Sequence, residues 1–507
     1  MLEHSQLNCD TETHQRRWPA RCLAIAVLVL YLGSVGPQWY VSSDSALYLL
    51  LGKNLAAGDG YTLWDTPHAH VPPGFPAILA IYRWLGLDEM RWLNLAMSLT
   101  ALATLTLVYW AMQTLVAPNR ALLITALVAL GQEMHLAAGM QLSDLPCMLL
   151  VWLGLWAYLR GTAGDKPACL ELGTLALLAS CWTRVIVFPL AAAAGLGLLL
   201  STNQRHRRRI FGNAVGLAVG LTASVALFYQ WAAWATTQTP VPTYGHHFSS
   251  LANRDIGAWL AGPVRHFYET GPHIMRLFTG QSAPELLALL VFWLPIAIGT
   301  VRSVQRREMV VACALIGYLA SVLVLRTMFS RYLLPVAPLL AMNWLDGIAA
   351  MVAMRSPYRH WAPRIAIGAA ILLMAISLPK VVRLAIAVHQ EPFANYRADW
   401  ELLRQTAADL RRHAQPGDRF ISSRAQRQLS WLSGMASTPL SGHAPNAVVA
   451  TPADLDRLRK KGVCWLVVAP ETEHAIYQRL PELVAQSPEC QLLADHSKFR
   501  VYRLPRH

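Results

Sequence analysis

Long apolar runs separated by short polar stretches fill the first three quarters of the chain. A transmembrane helix needs about 20 predominantly apolar residues, and by this measure the runs predict about eleven such helices. Residues 168–200 read either as one bent span or as two short ones. The predicted spans are 22–40, 92–115, 121–138, 146–160, 168–183, 185–200, 210–235, 284–301, 309–325, 333–352 and 364–387.

The pattern changes near residue 389, where shorter helical and strand-like periods replace the long apolar runs. We call residues 389–507 the tail. Its predicted elements are helices at 399–414, 451–462 and 472–486, strands at RFISS and VCWLVVAP, and a hairpin of QLLAD and FRVYRL. The predicted fold is therefore mainly α, with a polytopic membrane helical bundle in residues 1–388 followed by a small α/β domain in the tail.

Composition supports the membrane assignment. Hydrophobic residues make up 54% of the chain and charged residues 14%, whereas soluble domains average about 25% charged residues. The formal net charge of +14 is also compatible with nucleic-acid binding. The lysines and arginines, however, fall in short clusters between the apolar runs, as in the cytoplasmic loops of membrane proteins. We therefore predict a membrane protein with no nucleic-acid partner.

The basic clusters also predict the orientation of the chain. Placed between the predicted spans, they alternate onto one side, which the positive-inside rule assigns to the cytoplasm. The first loop (41–91), the turn holding Asp144, the loop 236–283, the turn 326–332 and the tail are then external. The clusters are Arg16–Arg17–Arg21, Arg120, Arg160–Lys166, Arg205–Arg209, Arg302–Arg306–Arg307 and Arg355–Arg359–Arg364.

Eight cysteines are scattered along the chain without a CxxC pair or a zinc-type spacing. Most of them lie in or beside apolar runs, where cysteine acts as a small packing residue. Cys464 and Cys490 lie in the tail, and an external, oxidising location would allow a disulfide between them.

The segment from Ser42 to Tyr61 is the most informative part of the first loop. It predicts a short helix that is capped by Ser42, Ser43 or Asp44 and ends at Gly58. The Asp44 carboxylate is a candidate general base, a role that contributes about 10²–10⁴-fold to a rate. The alternative is a helix cap without catalysis, and one residue can serve both purposes.

Helical geometry sorts the other polar side chains of this segment. At about 100° per residue, Asp44 and Tyr48 share a face of the helix and Lys53 points away from them. We therefore predict Tyr48 as a substrate-binding neighbour of Asp44 and expect no direct Asp44–Lys53 pair. Lys53 reads either as a ligand of a phosphate or lipid headgroup or as a solvated lysine.

Asp144 is the second candidate catalytic carboxylate, in an external turn that precedes a predicted span. Ser143 and Asp144, followed by Pro146, are also a helix-start signal, so an active-site role and plain capping both remain open. Neither Asp44 nor Asp144 lies in a DxD-like carboxylate cluster. We accordingly predict no metal and no other cofactor.

Two arginines in apolar surroundings are candidate phosphate ligands. A charge in the centre of a membrane helix costs about 2.5–3.5 kcal/mol, so such residues usually have a function or a partner. Arg184 lies between two apolar segments, and Arg331 with Tyr332 lies at the external end of a span. The guanidinium fork matches phosphate oxygens, and the alternative is snorkelling towards the headgroups.

Several motifs in this order resemble the GT-C superfamily of membrane glycosyltransferases, over roughly residues 20–350. Within it, the chain is most similar to the bacterial glycosyltransferase 39-type branch, which includes protein O-mannosyltransferases and aminoarabinose transferases acting on lipid A. The motifs are SSDSALYLLLGKNLAAGDGYT, VPPGFPAILAIYRWLG, RWLNLAMSLTALATLTLVYW, QLSDLP, LASCWTR and SRYLLPVAPLL.

This resemblance implies a donor in which a sugar is linked to a polyprenyl phosphate, and a reaction on the external face of the bacterial inner membrane. It implies the general-base role for Asp44, an acidic site residue at Asp144, and phosphate binding at the Arg331–Tyr332 position. In some relatives of this fold two carboxylates hold a divalent metal.

The leading hypothesis is a transferase that passes a sugar from this donor to a lipid, glycan or protein acceptor, with membrane lipids around it. A transporter or flippase of lipid-linked sugars is the alternative from another class. Such a transporter is expected to show repeated halves or broken helices, and the sequence shows no convincing repeat. A ligase or oligosaccharyltransferase that uses a diphosphate carrier is a third possibility.

Overall fold

A computed structural model describes residues 21–36, 42–163, 166–201, 206–238, 256–324, 329–354, 356–390, 394–422, 425–437, 452–460, 462–469, 484, 487–496 and 498–504. The chain divides into two compact units. The first, which we call the helical unit, comprises Met1–Pro37, Met90–Ser224 and Arg254–His389. The second, the mixed unit, comprises Gln38–Glu89, Val225–Asn253 and Gln390–His507.

Apolar helices form most of the chain between Arg21 and Gln390. Among the described residues, six helices are long and apolar enough to cross a membrane, or seven if one bent pair is a single span, and four shorter apolar helices accompany them. The protein is thus a multi-pass membrane protein, although the predicted count of about eleven spans is not confirmed. The helices are Arg21–Gly33, Met90–Gln113, Pro118–Ala129, Gln132–Ala138, Asp144–Ala163, Ala168–Thr183, Phe188–Leu199, Arg207–Gln238, Ile256–Thr279, Glu285–Gln305, Met309–Val324, Ala337–Ala353 and Ala362–Gln390.

The ambiguous segment 168–200 forms two short helices, Ala168–Thr183 and Phe188–Leu199. Arg184 between them has an extended backbone, and a 3-10 turn, Val185–Val187, leads into the second helix. The second helix carries a proline in its first turn, where the backbone N–H that proline lacks would make no hydrogen bond within the helix. In a continuous helix the same position would need an N–H to bond the preceding turn, so the helix is interrupted here.

A second break separates Pro118–Ala129 from Gln132–Ala138, which are bent by 64°. A lipid environment offers no water to the carbonyl groups that such a break releases. Hydroxyl groups from other helices donate hydrogen bonds to these carbonyl groups instead of water. Tyr31 donates to the Ala129 carbonyl oxygen at 2.8 Å, and Ser377 donates to that of Leu130 at 2.5 Å.

Two glycines allow the helices Glu285–Gln305 and Ala337–Ala353 to pack backbone to backbone. A Cβ on Gly299 would lie 1.9 Å from the Asn343 carbonyl oxygen. A Cβ on Gly347 would lie 1.8 Å from that of Pro295. Small residues at membrane helix contacts permit this close approach, and van der Waals packing then stabilises the pair.

The mixed unit begins with the helix Ser43–Ala57, which we call the loop helix. Ser42 caps its N-terminus through a reciprocal capping box with Ser45, and Gly58 ends it with a left-handed backbone, φ 85°. The predicted helix and its end are confirmed. The cap is Ser42, so the helix does not require Asp44 for that purpose. A two-stranded hairpin, β1 (Thr62–Leu63) and β2 (Thr66–Pro67), and the helix Gly74–Trp84 complete the first loop.

The tail adds a five-stranded sheet in the order β4-β3-β5-β7-β6. The strand β3 is parallel to β4 and β5, whereas β7 is antiparallel to β5 and β6. The helix Gln426–Ser433, which we call the tail helix, was not predicted. The elements are helices Ala394–His413, Gln426–Ser433 and Pro452–Lys460 and strands β3 (Arg419–Ser422), β4 (Ala436–Ser437), β5 (Val463–Val468), β6 (Gln491–Asp495) and β7 (Arg500–Arg503).

Apolar side chains cover both faces of this sheet, as a strand inside an α/β layer requires. Along β5, Trp465 and Val467 pack with Phe420 on one face, and Leu466 and Val468 pack on the other. The predicted strands and the hairpin of β6 and β7 are confirmed. The predicted helix 472–486 falls largely outside the described residues, and Cys464 and Cys490 are free thiols.

We expect Gly347→Ala to destabilise the protein, because the added methyl group would meet backbone atoms that cannot rotate away. Overpacking of this kind costs about 1–3 kcal/mol. The matched control is Gly368→Ala in the helix Ala362–Gln390, where a Cβ meets nothing within 4 Å. Thermal denaturation in detergent measures both. An equal melting temperature for the two variants would contradict this helix contact.

Candidate functional site

Asp144 and Arg184 form an ion pair inside the helical unit. Asp144 is the first residue of its helix, and Arg184 lies at the break between two short helices. Only 3% of the Asp144 side chain and 14% of the Arg184 side chain are exposed. Because an isolated buried charge is strongly unfavourable, each of these side chains needs a partner of opposite charge, and here each provides one for the other.

Tyr332 brings two guanidinium groups together. The Arg184 guanidinium lies over the Tyr332 ring, 4.8 Å from its centre, and the Arg331 guanidinium lies 5.7 Å from it. The Tyr318 hydroxyl donates to the Tyr332 carbonyl oxygen and fixes the 3-10 turn Ser330–Val336 that carries the ring. Four predicted site residues, Asp144, Arg184, Arg331 and Tyr332, therefore lie in one cluster, with the arginines held by cation–π contacts.

Glu133 is a fifth member, which the sequence analysis missed. Ser330 donates to its carboxylate at 2.5 Å, and Arg276 Nε lies 3.6 Å from the same oxygen. Glu133 also interacts electrostatically with Asp144 and Arg331. The sequence could have indicated Glu133 as a candidate, because it lies inside an apolar run and an acidic residue there usually has a function or a partner.

Within the described ranges, the set has six members and more guanidinium groups than carboxylates. We call it the arginine cluster: Glu133, Asp144, Arg184, Arg276, Arg331 and Tyr332. Of the residues that the structure describes, three guanidinium groups and two carboxylates meet here, an excess of one guanidinium group. Such a site attracts an anion, and planar guanidinium groups bind phosphate oxygens with good geometry.

The other predicted residues lie on the loop helix in the mixed unit. Asp44 is in the first helical turn, where a carboxylate interacts favourably with the helix dipole. Tyr48, one turn later, is buried with its ring edge-on to Phe75 at 5.1 Å between ring centres. Lys53 is half-buried, and among the described residues no ion pair involves it.

The tail supplies a cation to this region. Arg427, the second residue of the tail helix, has its Nη1 atom 3.4 Å from the Ser43 hydroxyl oxygen. Burial lowers the pKa of Arg427, and Asp44 and Tyr48 act in the opposite direction. The guanidinium is therefore partly desolvated beside the Asp44 carboxylate. The sequence offered no local signal for this contact, since the two helices lie far apart along the chain.

A buried histidine, His68, interacts electrostatically with the same arginine. His68 and His70 have ring centres 6.3 Å apart. Burial lowers the pKa of His68 well below its ordinary value, and His70 and Arg427 lower it further, so its imidazole is neutral at pH 7.

In the described part of the chain, no three His, Cys, Asp or Glu side chains are grouped to hold a metal. The absence of a metal remains a prediction.

Comparison with solved structures establishes the fold. The chain is similar to ArnT from Cupriavidus metallidurans in its apo state, with a TM-score of 0.61, 16% identity, and coverage of 97% of this chain and 98% of ArnT. The same protein bound to undecaprenyl phosphate gives 0.58, at 16% identity with 96% and 98% covered. The chain has the GT-C fold. The resemblance seen in the sequence is confirmed at this level.

The GT-C fold also relates the chain to an apo oligosaccharyltransferase from Archaeoglobus fulgidus, with a TM-score of 0.57 and 12% identity over 94% of this chain and 72% of the other. No protein-family model matches the chain, and no curated protein matches it by sequence. At such identities the match describes the path of the backbone, and the chemistry must be argued from the side chains.

Replacing only one member of the Asp144–Arg184 pair should destabilise the protein more than replacing both. We expect Asp144→Asn alone to leave an uncompensated buried cation, at a cost of about 3–5 kcal/mol. The double variant Asp144→Asn/Arg184→Gln should recover part of that loss. The control is Glu269→Gln, which breaks the largely exposed Arg265–Glu269 pair and should change the melting temperature little. Additive effects of the two single substitutions would argue against the pair.

Proposed function

We propose that the protein is an integral membrane glycosyltransferase that moves a sugar from a polyprenyl-phosphate donor to an extracytoplasmic lipid, glycan or protein acceptor. The observation that carries the proposal is the arginine cluster, a partly buried site inside a GT-C fold in which the described guanidinium groups outnumber the carboxylates. ArnT, to which the chain is similar over nearly its whole length, has been determined with undecaprenyl phosphate bound.

The arginine cluster fits the phosphate of such a donor. Arg331 presents its guanidinium at the start of the turn that leads into the helix Ala337–Ala353. Arg184 is already neutralised by Asp144, so the surplus charge falls to Arg331 and Arg276. We assign donor-phosphate binding to Arg331 and assign Asp144 and Arg184 to shaping the cluster around Tyr332.

The reaction needs a base more than it needs an acid. The bond from the anomeric carbon to the phosphate oxygen breaks, and polyprenyl phosphate leaves as a stable anion. The acceptor hydroxyl oxygen bonds to the anomeric carbon and must lose its proton. We assign that proton to the Asp44 carboxylate, since a positioned carboxylate contributes about 10²–10⁴-fold. Tyr48, one turn away, would contact the sugar or the acceptor.

The proposed location is the bacterial inner membrane, with the first loop and the tail on the periplasmic side. The distribution of basic clusters supports this orientation. Nucleotide sugars are scarce on that side, so a lipid-linked donor suits the chemistry. Membrane lipids surround the apolar helices, and the donor reaches the protein from the same bilayer.

Asp44→Asn should abolish most of the transfer. Purified protein with radiolabelled polyprenyl-phosphate sugars and a membrane extract should show a loss of about 10²–10⁴-fold, because the amide cannot accept the proton. Asp59→Asn, an exposed carboxylate just beyond the loop helix, is the matched control and should keep wild-type transfer. Full transfer by Asp44→Asn would remove this residue from the chemistry. Translocation of the donor without transfer would favour a transporter.

Arg331→Met should weaken binding of polyprenyl phosphate. Loss of charge-assisted hydrogen bonds worth about 1.5–3 kcal/mol corresponds to roughly 10–150-fold in Kd. Arg331→Lys should recover part of the affinity, because a lysine keeps the charge without the planar fork. Binding measured by fluorescence with a labelled lipid tests this. Arg208→Met, at an exposed position, serves as the control, and equal affinity of all variants would contradict the assignment.

A further inference from the structure

The tail contacts the first loop at its hairpin. The two-residue turn between β1 and β2 consists of Trp64 and Asp65, which both have a left-handed backbone, with φ of 55° and 64°. Asparagine and glycine are the usual residues in such a turn. The indole Nε1 of Trp64 donates to the Ser430 hydroxyl at 3.0 Å, and the Asp65 carboxylate pairs with Arg419. Tail side chains thus hold a conformation that these residue types adopt at a conformational cost.

A separate contact lies at the start of the loop helix. There the Arg427 guanidinium approaches the Ser43 hydroxyl at 3.4 Å and interacts electrostatically with Asp44 and Tyr48. Burial removes much of its hydration, and a partly desolvated cation interacts more strongly with a neighbouring carboxylate than a solvated one. Arg427 also interacts with the buried His68.

We infer that Arg427, supplied by the tail, is a positioning residue that orients the Asp44 carboxylate for proton transfer. This inference rests on the proposed function. The loop helix offers no equivalent cation of its own, because Lys53 lies on the opposite face from Asp44. The tail then completes the catalytic loop as well as packing against it.

The charged and titratable groups around this pair come from each neighbouring element. Tyr48 belongs to the loop helix, and His68 and His70 follow the hairpin. With His68 neutral, Arg427 is the strong cation of this set. A planar guanidinium has few orientations once it is half-buried, and this rigidity suits it to fixing a carboxylate.

The test compares Arg427→Met and Arg427→Lys with wild type in the transfer assay. We expect Arg427→Met to lower kcat by about 100-fold, the size of effect that a misplaced catalytic group produces, with the donor KM unchanged. Arg427→Lys should restore part of kcat. The matched control is Arg419→Met, which removes a second tail arginine that contacts the first loop and should leave kcat within a few-fold of wild type.

A double-mutant cycle separates positioning from an independent role. If Arg427 acts through Asp44, then adding Arg427→Met to Asp44→Asn should lower the residual activity little further. Additive losses would overturn the inference. So would a raised donor KM with unchanged kcat, which would make Arg427 a donor ligand, or an equal loss in Arg419→Met, which would indicate general docking.

The outcomes also separate this inference from the proposed function. If wild type transfers no sugar, the proposed function fails and the inference fails with it. If wild type is active and Arg427→Met is equally active with an unchanged melting temperature, only the inference fails. If Asp44→Asn has no measurable activity, the split between kcat and KM and the recovery by lysine decide the question.

Discussion

A charge buried among apolar helices must be compensated locally, and this constraint explains most of the polar arrangement in the helical unit. Asp346 illustrates the balanced case. Arg120 contacts its carboxylate at 2.5 Å and Arg306 at 2.7 Å, while Glu308 pairs with Arg306 at 2.9 Å. Two carboxylates meet two guanidinium groups there, which suits a structural role. Among the described residues the arginine cluster has one guanidinium more than it has carboxylates, and on this difference rests our proposal that it binds an anion.

The same constraint assigns different roles to the two predicted carboxylates. Asp144 is buried against Arg184 and holds that arginine over the Tyr332 ring. A carboxylate so buried is hard for an acceptor hydroxyl to reach. Asp44 is only half-buried, at the open first turn of the loop helix, where an acceptor hydroxyl can approach. These differences in burial and pairing, which residue spacing does not reveal, are the reason that we propose Asp44 rather than Asp144 as the base.

The sequence predicted well those features that depend on residues close together along the chain. Apolar runs located the helices. The three candidate caps Ser42, Ser43 and Asp44, together with Gly58, located both ends of the loop helix, because caps and left-handed ends depend on adjacent residues. The 64° break after Ala129 was missed, since the hydroxyls that compensate it come from Tyr31 and Ser377. Arg427 was missed for the same reason, as its partner Ser43 lies 384 positions away.

The strained turn at Trp64 and Asp65 has a consequence for biogenesis. Its partner Arg419 is synthesised 354 residues after Asp65. At about 5–20 residues per second, the first loop waits roughly 20–70 s for the side chains that hold its turn. During that interval the hairpin lacks the contacts that compensate its left-handed backbone. The loop that carries Asp44 therefore reaches its final form only when the last part of the chain arrives, and a truncated chain would lack it.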